Sequence, residues 1–288
     1  MTGEEDAGQQ RPSIVESRSP GIPRYEVREL RPKESTYCLC VFVINEGQKL
    51  LKQLERIRAG GFGIDIDVVV ADGGSDDGST APESLRELGV NSLLVKRDAG
   101  KLGTQMRMAF AWALDRGYEG VVVIDGNGKD GVDAIPAFVK ALQAGVDHAQ
   151  GSRFIAGGRS ENLPFSRFVG VKFLHAPLMR WASGYAYTDT TNGFRAYSAA
   201  LLRDPRVAIF RDVFEGYELH YYLAIQAAKK GFKVVEIPVA RVYPATGKVP
   251  TKISPIRGNL NVLKKLIRTC TGGYEPVATN AAETGERG

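Results

Sequence analysis

Cysteine is scarce in this sequence, with three thiols in 288 residues. Cys38 and Cys40 lie two apart on one expected strand face and Cys270 is far away, a spacing that fits neither a disulfide framework nor a zinc site. Reduced structural thiols are the expectation. Histidine is as sparse, and His148, His175 and His220 show no metal-ligand spacing. No stretch approaches the roughly 18 consecutive apolar residues of a spanning helix. The polar start also lacks the charged, then apolar order of a signal peptide, so a soluble, cytoplasmic chain is expected. The net charge of +5 is too mild to argue for nucleic acid, though it leaves room for an anionic substrate or a membrane surface.

What the chain does have is enough apolar residues, 43%, to bury a sizeable core. Residues 1–34 and 275–288 are rich in polar residues without apolar periodicity and are expected to be flexible ends. Between them strand and helix signals alternate. Tyr37 to Ile44 is an almost unbroken apolar run, the pattern of a strand covered on both faces. Leu50, Leu51, Leu54 and Ile57 then recur at helical spacing until Gly60 and Gly61. Strands are expected at Asp67–Ala71, Ser92–Lys96 and Gly120–Asp125, with a helix over Leu102–Arg116. This alternation implies βαβ units and a mainly parallel sheet. Beyond residue 150 the pattern loosens. It predicts a long helix over Phe165–Ala182 bent at Pro177, a helix over Tyr217–Lys230 closed by Gly231, and an edge strand over Phe232–Val242 that contains Pro238. A basic amphipathic helix is expected in 259–274.

In parallel sheets ligands bind outside the carboxyl ends of the strands, and the polar clusters fall there. Asn45-Glu46-Gly47 follows the first strand, Asp72 to Thr80 the second, and Asp125-Gly126-Asn127 the fourth. The Asp72 loop combines carboxylates, glycines and hydroxyls, a composition able to cradle a nucleotide as well as to form a tight turn. A strand-terminal Asp125 can hold a divalent cation, since Mg²⁺ commonly takes one or two carboxylates plus substrate phosphates.

Together these residues resemble the family 2 glycosyltransferases of the GT-A fold, in particular the dolichyl-phosphate and polyprenyl-phosphate mannosyltransferases and glucosyltransferases. The resemblance runs over about residues 37–255. Asp72-Gly73-Gly74-Ser75-Asp76-Asp77-Gly78-Ser79-Thr80 resembles the family's acidic loop, and Asp125-Gly126-Asn127 its DxD metal motif. Gly151-Ser152-Arg153-Phe154 and Asp189-Thr190-Thr191-Asn192-Gly193-Phe194-Arg195-Ala196-Tyr197 are similar to its later segments. Two departures stand out: Asp72-Gly73 replaces a paired Asp-Asp, and Asn127 replaces the second Asp of DxD. Asp130 is then the residue expected to lend a further metal ligand.

The resemblance implies a single GT-A domain of α/β class, with a mainly parallel central sheet and helices on both faces. Residues 35–150 would form a Rossmann-like nucleotide-sugar-binding half and 151–258 an acceptor half. It implies transfer of a sugar from a GDP- or UDP-linked donor to a polyprenyl or dolichyl phosphate, by inverting displacement assisted by Mg²⁺ or Mn²⁺. Asn45, Glu46, Asp72, Gly73, Ser75, Asp76, Lys101, Asp125 and Gly126 would bind the donor, and Asp125, Asn127 and Asp130 the metal. Arg153, Arg159, Arg195, Lys248 and Lys252 would meet the acceptor phosphate, with Asp125, Arg153, Arg195, Glu215 and Asp189 as catalytic candidates and Glu218 as a further carboxylate. A phosphate acceptor needs no general base, because its second ionisation lies near pH 6. The alternatives are a saccharide or small hydroxylated acceptor, and a non-catalytic nucleotide-sugar-binding protein of the same fold. A nucleotidyltransferase fits less well, because Asn45-Glu46-Gly47-Gln48-Lys49 is not the Gly-rich basic loop it would need. No nucleic-acid partner is expected. Peripheral association with the inner face of a membrane, and a homo-oligomer, are compatible with the sequence.

Overall fold

The computed structural model describes residues 13–16, 21–244 and 257–276, with side chains from residue 260 onward in the last segment. In chain order the strands are β1 (Ser13–Val15), β2 (Tyr25–Glu29), β3 (Tyr37–Val43), β4 (Asp67–Asp72), β5 (Val90–Lys96), β6 (Gly120–Asp125), β7 (His148–Ser152), β8 (Arg159–Glu161), β9 (Arg195–Ser198), β10 (Val234–Pro238) and β11 (Ala240–Val242). The helices are α1 (Gln48–Ala59), α2 (Pro82–Glu87), α3 (Leu102–Asp115), α4 (Ile135–Gln143), α5 (Phe165–Gly170), α6 (Ala176–Ser183), α7 (Ala199–Arg203), α8 (Glu218–Lys229) and α9 (Arg257–Cys270). A 3₁₀ turn, Val132–Ala134, leads into α4, and a π turn, Val171–His175, joins α5 to α6.

A nine-stranded sheet runs β1-β2-β5-β4-β3-β6-β9-β7-β10, and β8 pairs with β11 in a small second sheet. The block β5-β4-β3-β6 is parallel throughout, as the alternation of strand and helix signals requires. Strand alternation divides the core between the two faces of the sheet. Cys38, Cys40 and Phe42 point into a cluster with Phe110, Tyr197 and Leu223, from α3, β9 and α8. Leu39, Val41 and Val43 point into the opposite cluster with Leu54, Ile135 and Phe138, from α1 and α4. A third cluster holds α6, α8 and α9 together through Met179, Ile225 and Leu266.

Three expectations change. Residues 21–34 are not a loose leader: β2 pairs antiparallel with β5, burying Tyr25 and Val27. Its low apolar content hid it, because buried Glu26 is compensated by Arg28 and Arg97 rather than by solvent. The helix over Phe165–Ala182 is not simply bent at Pro177. It widens into the π turn just before that proline, which sits in the first turn of α6, where a missing N–H costs little. The stretch Phe232–Val242 divides after Pro238 into β10, at the edge of the main sheet, and β11, in the small one. Residues 245–256, with Lys248 and Lys252, and the end of the chain from residue 277 lie outside the described residues.

The sequence pattern did not reveal β7 or β9. Their buried positions include His148, Gln150 and Arg195, polar residues that break the apolar run of a covered strand. Each finds a polar partner inside: the His148 ring lies 3.2 Å from the Ala196 carbonyl and Gln150 donates to Asn192 O at 3.2 Å. Phe110 is fully buried and meets Tyr197 edge to face, with centroids 5.5 Å apart. Phe110→Ala should therefore lower unfolding stability by about 3–5 kcal/mol, measured as a fall in the urea midpoint with an unchanged slope.

Candidate active site

The order of strands reverses at β3: β4 returns to one side of it and β6 to the other. That reversal opens a crevice beyond the carboxyl ends of β3 and β6, where α/β sheets bind ligands. Asp125 ends β6 at this point. Its backbone carbonyl accepts from Gln53 Nε2 at 3.0 Å, and Gln53 Oε1 accepts from Gly128 N at 2.8 Å, so one buried amide on α1 pins both ends of the turn. Gly193 lies against the carboxylate, and a Cβ there would sit 3.0 Å from Asp125 Oδ1. Asp125, Thr190, Asn192, Gly193, Tyr217 and His220 line a small cleft. Burial and the Arg195 charge depress the His220 ring well below its ordinary value, so it is neutral.

Asp72 and Asp125 flank β3 as neighbours, about 10 Å apart across two strand spacings. They do not face one another. The register sets Asp72 beside Val43 and Asp125 beside Phe42, and adjacent residues of β3 point to opposite faces. Asp72 is buried and turns into its own loop, accepting from Gly74 N, Ser75 N, Ser75 Oγ and Thr80 Oγ1 at 2.7–3.1 Å. It shapes the loop rather than presenting a carboxylate to a ligand. The same loop is tied to the end of β3: Asn45 N donates to Ser75 Oγ, Asn45 Oδ1 accepts from Asp76 N, and Gly47 N donates to Asp77 Oδ2, all at 2.8–2.9 Å. Gly73 N bonds to Val43 O and Gly126 N to Phe42 O. Asn45, Gly73, Ser75, Asp76 and Gly126 thus belong to one rim, with Asp76 exposed and Glu46 beside Lys49 at 3.5 Å.

The arginines and their carboxylates are arranged differently from the expectation. Asp130 is fully buried, and both of its oxygens accept from Arg241 Nη1 at 2.6 and 2.7 Å. That geometry removes it as a metal ligand. Burial pulls the Arg241 pKa down, but the charges of Asp130 and Asp125 more than reverse this and keep it protonated. Its Nη2 lies 3.4 Å from Asp125 Oδ2. Arg153 is buried too, donating to both oxygens of Asp189 at 2.6 and 2.9 Å, to Thr191 Oγ1 and to Tyr243 Oη. Asp189 so engaged does not fit a catalytic base. Arg195 donates to the carbonyls of Thr190, Asn192 and His220 at 2.8–3.0 Å. It is buried and holds the cleft loop against α8.

Other candidates are scattered. Glu218 is buried and accepts from Glu215 N, Gly216 N and Lys265 Nζ, which joins α9 to the start of α8. Glu215 and Lys101 are exposed near the start of α8 and of α3, where Gly103 N meets Glu215 O. Arg159, on β8, is exposed and 4.0 Å from Glu161. Arg241 lies beside Asp125, and Lys129 is close enough to feel the charges of Asp125, Arg241 and Arg167. Burial, then the charges of Arg241 and Arg167, lower the Lys129 pKa. Arg167 reaches Tyr243 Oη at 3.5 Å and lies over its ring. Tyr243, Gln53 and Lys129 carried no motif. A glutamine on the apolar face of α1 was the one available signal.

No family model matches the chain. The polyprenol monophosphomannose synthase of Mycolicibacterium smegmatis is 31% identical over 177 residues, 60% of this chain and 66% of that protein. The undecaprenyl-phosphate mannosyltransferase of Micrococcus luteus is 32% identical over 186 residues, 63% of this chain and 74% of that protein. The chain belongs to the glycosyltransferase family that includes these polyprenyl-phosphate mannosyltransferases. Its GT-A fold is shared by glucosyl-3-phosphoglycerate synthase of Mycobacterium tuberculosis, crystallised with uridine diphosphate, at a TM-score of 0.58, 16% identity and coverage of 84% and 81% of the two chains.

The glycosyltransferase's own residues fit a cation held jointly with a diphosphate. Asp125 supplies a half-exposed carboxylate that lines the cleft with Gly193 against it, while Asn127 turns its Nδ2 to Asp125 Oδ2 at 3.3 Å and its oxygen accepts from Lys129 N at 3.2 Å, which leaves Asp125 as the oxygen ligand that faces the cleft. Among the described residues no cluster of three or more His, Cys, Asp or Glu could hold a metal alone, so the remaining ligands would come from phosphate oxygens. Gly193→Ala should weaken nucleotide-sugar binding, read by titration calorimetry, because the added methyl would press on the Asp125 carboxylate.

The Asp189 carboxyl titrates below its ordinary value. Burial pushes it up, but Arg153 and the Thr191 N–H more than reverse this. Its contribution to stability is therefore complete above the unfolded value of about 4, and is lost as pH falls below that toward the lower folded value. Asp189→Asn should cost about 3–5 kcal/mol at neutral pH. Urea midpoints followed into acid should then decline less steeply for the variant than for the parent.

Proposed function

We propose that this glycosyltransferase moves a hexose from a nucleoside-diphosphate sugar, GDP- or UDP-linked, to a polyprenyl phosphate by inverting displacement. The observation that carries this reading is the half-exposed carboxylate Asp125 beside Arg241, with Lys129 within reach of both and Arg167 close to Lys129. Of the carboxylates considered as bases, Asp189 is engaged by Arg153 and Glu218 by backbone N–H groups and Lys265, while Glu215 is exposed and does not line the cleft that holds Asp125. A sugar hydroxyl would need a positioned base to take its proton, whereas a phosphate monoester is already largely ionised at neutral pH. A site rich in cations and poor in free carboxylates suits the second acceptor.

In this reading the rim formed by Asn45, Gly73, Ser75 and Asp76 borders the nucleoside, and Asp125 and Asn127 approach the diphosphate. Bound Mg²⁺ or Mn²⁺ would offset the charge that develops on the leaving diphosphate. Arg241, Lys129 and Arg167 orient the acceptor phosphate, whose oxygen attacks the anomeric carbon. The bond from that carbon to the diphosphate oxygen breaks, the nucleoside diphosphate leaves, and the configuration inverts. Arg153 and Arg195 act indirectly, by holding the loops that carry Gly193 and Tyr243. Such an acceptor places the work at a membrane surface, while among the described residues no helix is long and apolar enough to cross a membrane.

A thermal-shift panel of UDP-, GDP- and dTDP-sugars with and without Mn²⁺ tests the donor and cation, since a ligand selective for the folded state raises the melting point. Asp125→Ala should remove the Mn²⁺-dependent part of the shift and lower transfer to a polyprenyl phosphate by about 100-fold or more. Donor binding without transfer to any acceptor would instead mark a non-catalytic binding protein.

A further inference from the structure

We propose that Thr190 and Asn192 form a recess that receives one hydroxyl of the donor hexose and so decides which sugar this chain transfers. This rests on the sugar-transfer reading above and names the part of the donor that the cleft inspects. Two atoms carry it. Thr190 Oγ1 and Asn192 Nδ2 are buried and have no hydrogen-bond partner among the described residues. Both residues, each 1% exposed, line the cleft with Asp125. A buried donor or acceptor left unpaired destabilises a fold, so one that persists calls for a group that completes it.

Both residues are anchored from behind. Asn192 Oδ1 accepts from Phe194 N at 2.8 Å. Only the oxygen of an amide can accept, which identifies the unpartnered atom as the NH₂ donor. The Asn192 carbonyl accepts from Gln150 Nε2 and Arg195 Nε, and the Thr190 carbonyl from Arg195 Nη2, at 2.8–3.2 Å. The two free groups are therefore held in place before any ligand arrives. His148 Nε2 and Gln150 Oε1 also lack partners, but neither residue lines the cleft.

Size and charge indicate what completes the pair. The recess measures about 30 Å³, room for about one or two water-sized groups and not for a sugar ring. Its hydrogen-bonding groups beyond Asp125 are neutral or committed. Arg195 directs its nitrogens to three backbone carbonyls, and the His220 ring is uncharged. Tyr197, kept protonated by burial, has His220 Nδ1 as an acceptor at 3.0 Å, which leaves the ring proton on Nε2. Neutral groups in so small a space suit a hydroxyl; a phosphate would need cations and a metal ion anionic ligands.

The donor hexose is the source of that hydroxyl. In the reading above Asp125 approaches the diphosphate, and the sugar ring is bonded directly to it. A polyprenyl phosphate has no hydroxyl beyond its phosphate. A site built to hydrogen-bond a hydroxyl rejects the analogue that lacks it much more strongly than an apolar pocket rejects a missing methylene. An epimer whose hydroxyl points elsewhere leaves Thr190 and Asn192 unpaired in the same way.

The test pairs each side chain with each hydroxyl. The full-length protein is assayed with GDP-mannose and UDP-glucose, and kcat/KM is then measured for the faster donor and its monodeoxyhexose analogues. One analogue should fall by roughly 10- to 100-fold in the parent. Thr190→Val keeps the side-chain shape without the hydroxyl, and Asn192→Ser keeps an oxygen for Phe194 N without the amide. In both variants the penalty for that one analogue should shrink to about threefold or less, because the partner is already gone. Thr190→Val should melt no lower than the parent, since the hydroxyl it removes has no partner in the protein. Binding of GDP or UDP without a sugar should be unchanged, which separates a hexose hydroxyl from a ribose one. Variants that keep the parent's penalties, or a parent that treats every deoxy analogue alike, would show that the recess holds a structural water only and overturn the proposal. Weakened binding of the sugar-free nucleotide would overturn it too. A parent that transfers from no nucleotide sugar would instead overturn the functional reading beneath it.

Discussion

Around Asp125 the architecture depends on two buried guanidinium–carboxylate pairs, Arg241 with Asp130 and Arg153 with Asp189. Each joins segments far apart in sequence: the loop after β6 to β11 in the first case, the end of β7 to the segment before β9 in the second. A buried charge left without its partner costs several kcal/mol, so these loops have little freedom to rearrange independently. The pairs are linked through Tyr243, whose hydroxyl accepts from Arg153 and whose ring lies beside Arg241. The result is a rigid frame in which Asp125 is the carboxylate left partly open.

This frame explains why residues that look catalytic are structural here. Arginine is suited to capturing phosphate, yet Arg153 and Arg195 direct their donors inward, to Asp189 and to three backbone carbonyls. Their contribution is placement. Arg195 fixes the Thr190–Asn192 backbone, and Gly193 directly after it leaves room for the Asp125 carboxylate. Gln53 does the same from the opposite face of the sheet. A ligand at the crevice thus meets charged groups that are each held by several others that it does not touch.

The cations near Asp125 and the helical segment 165–183, on which Phe165, Phe173 and Trp181 are exposed, are continuous through Arg167. That continuity gives the side proposed for the acceptor a consistent physical character, basic close to the sheet and increasingly apolar along the segment. The rim proposed for the donor, made of Asn45, the Asp72 loop and Gly126, is polar, glycine-rich and mostly backbone. Two halves of opposite character meeting at one carboxylate suit a reaction whose donor is water-soluble and whose acceptor carries a long apolar chain.

Much of the fold was legible in the linear pattern. The apolar run of β3, the helical spacing of α1 and the acidic loops at strand ends predicted a parallel sheet with its site at the carboxyl edge, because local periodicity and turn chemistry determine those elements without help from distant residues. The hidden parts are those in which polar residues are buried with distant partners. Glu26 in β2, His148 and Gln150 in β7, and Arg195 in β9 break the apolar pattern of a strand and are buried because the fold supplies Arg97, the Ala196 and Asn192 carbonyls and the His220 carbonyl. The sequence by itself determined which residue types gather at the rim of the sheet. Only the tertiary structure decided which of them face a ligand, since strand register sends Asp72 and Asp125 to opposite faces and burial pairs Asp130, Asp189 and their arginines with each other.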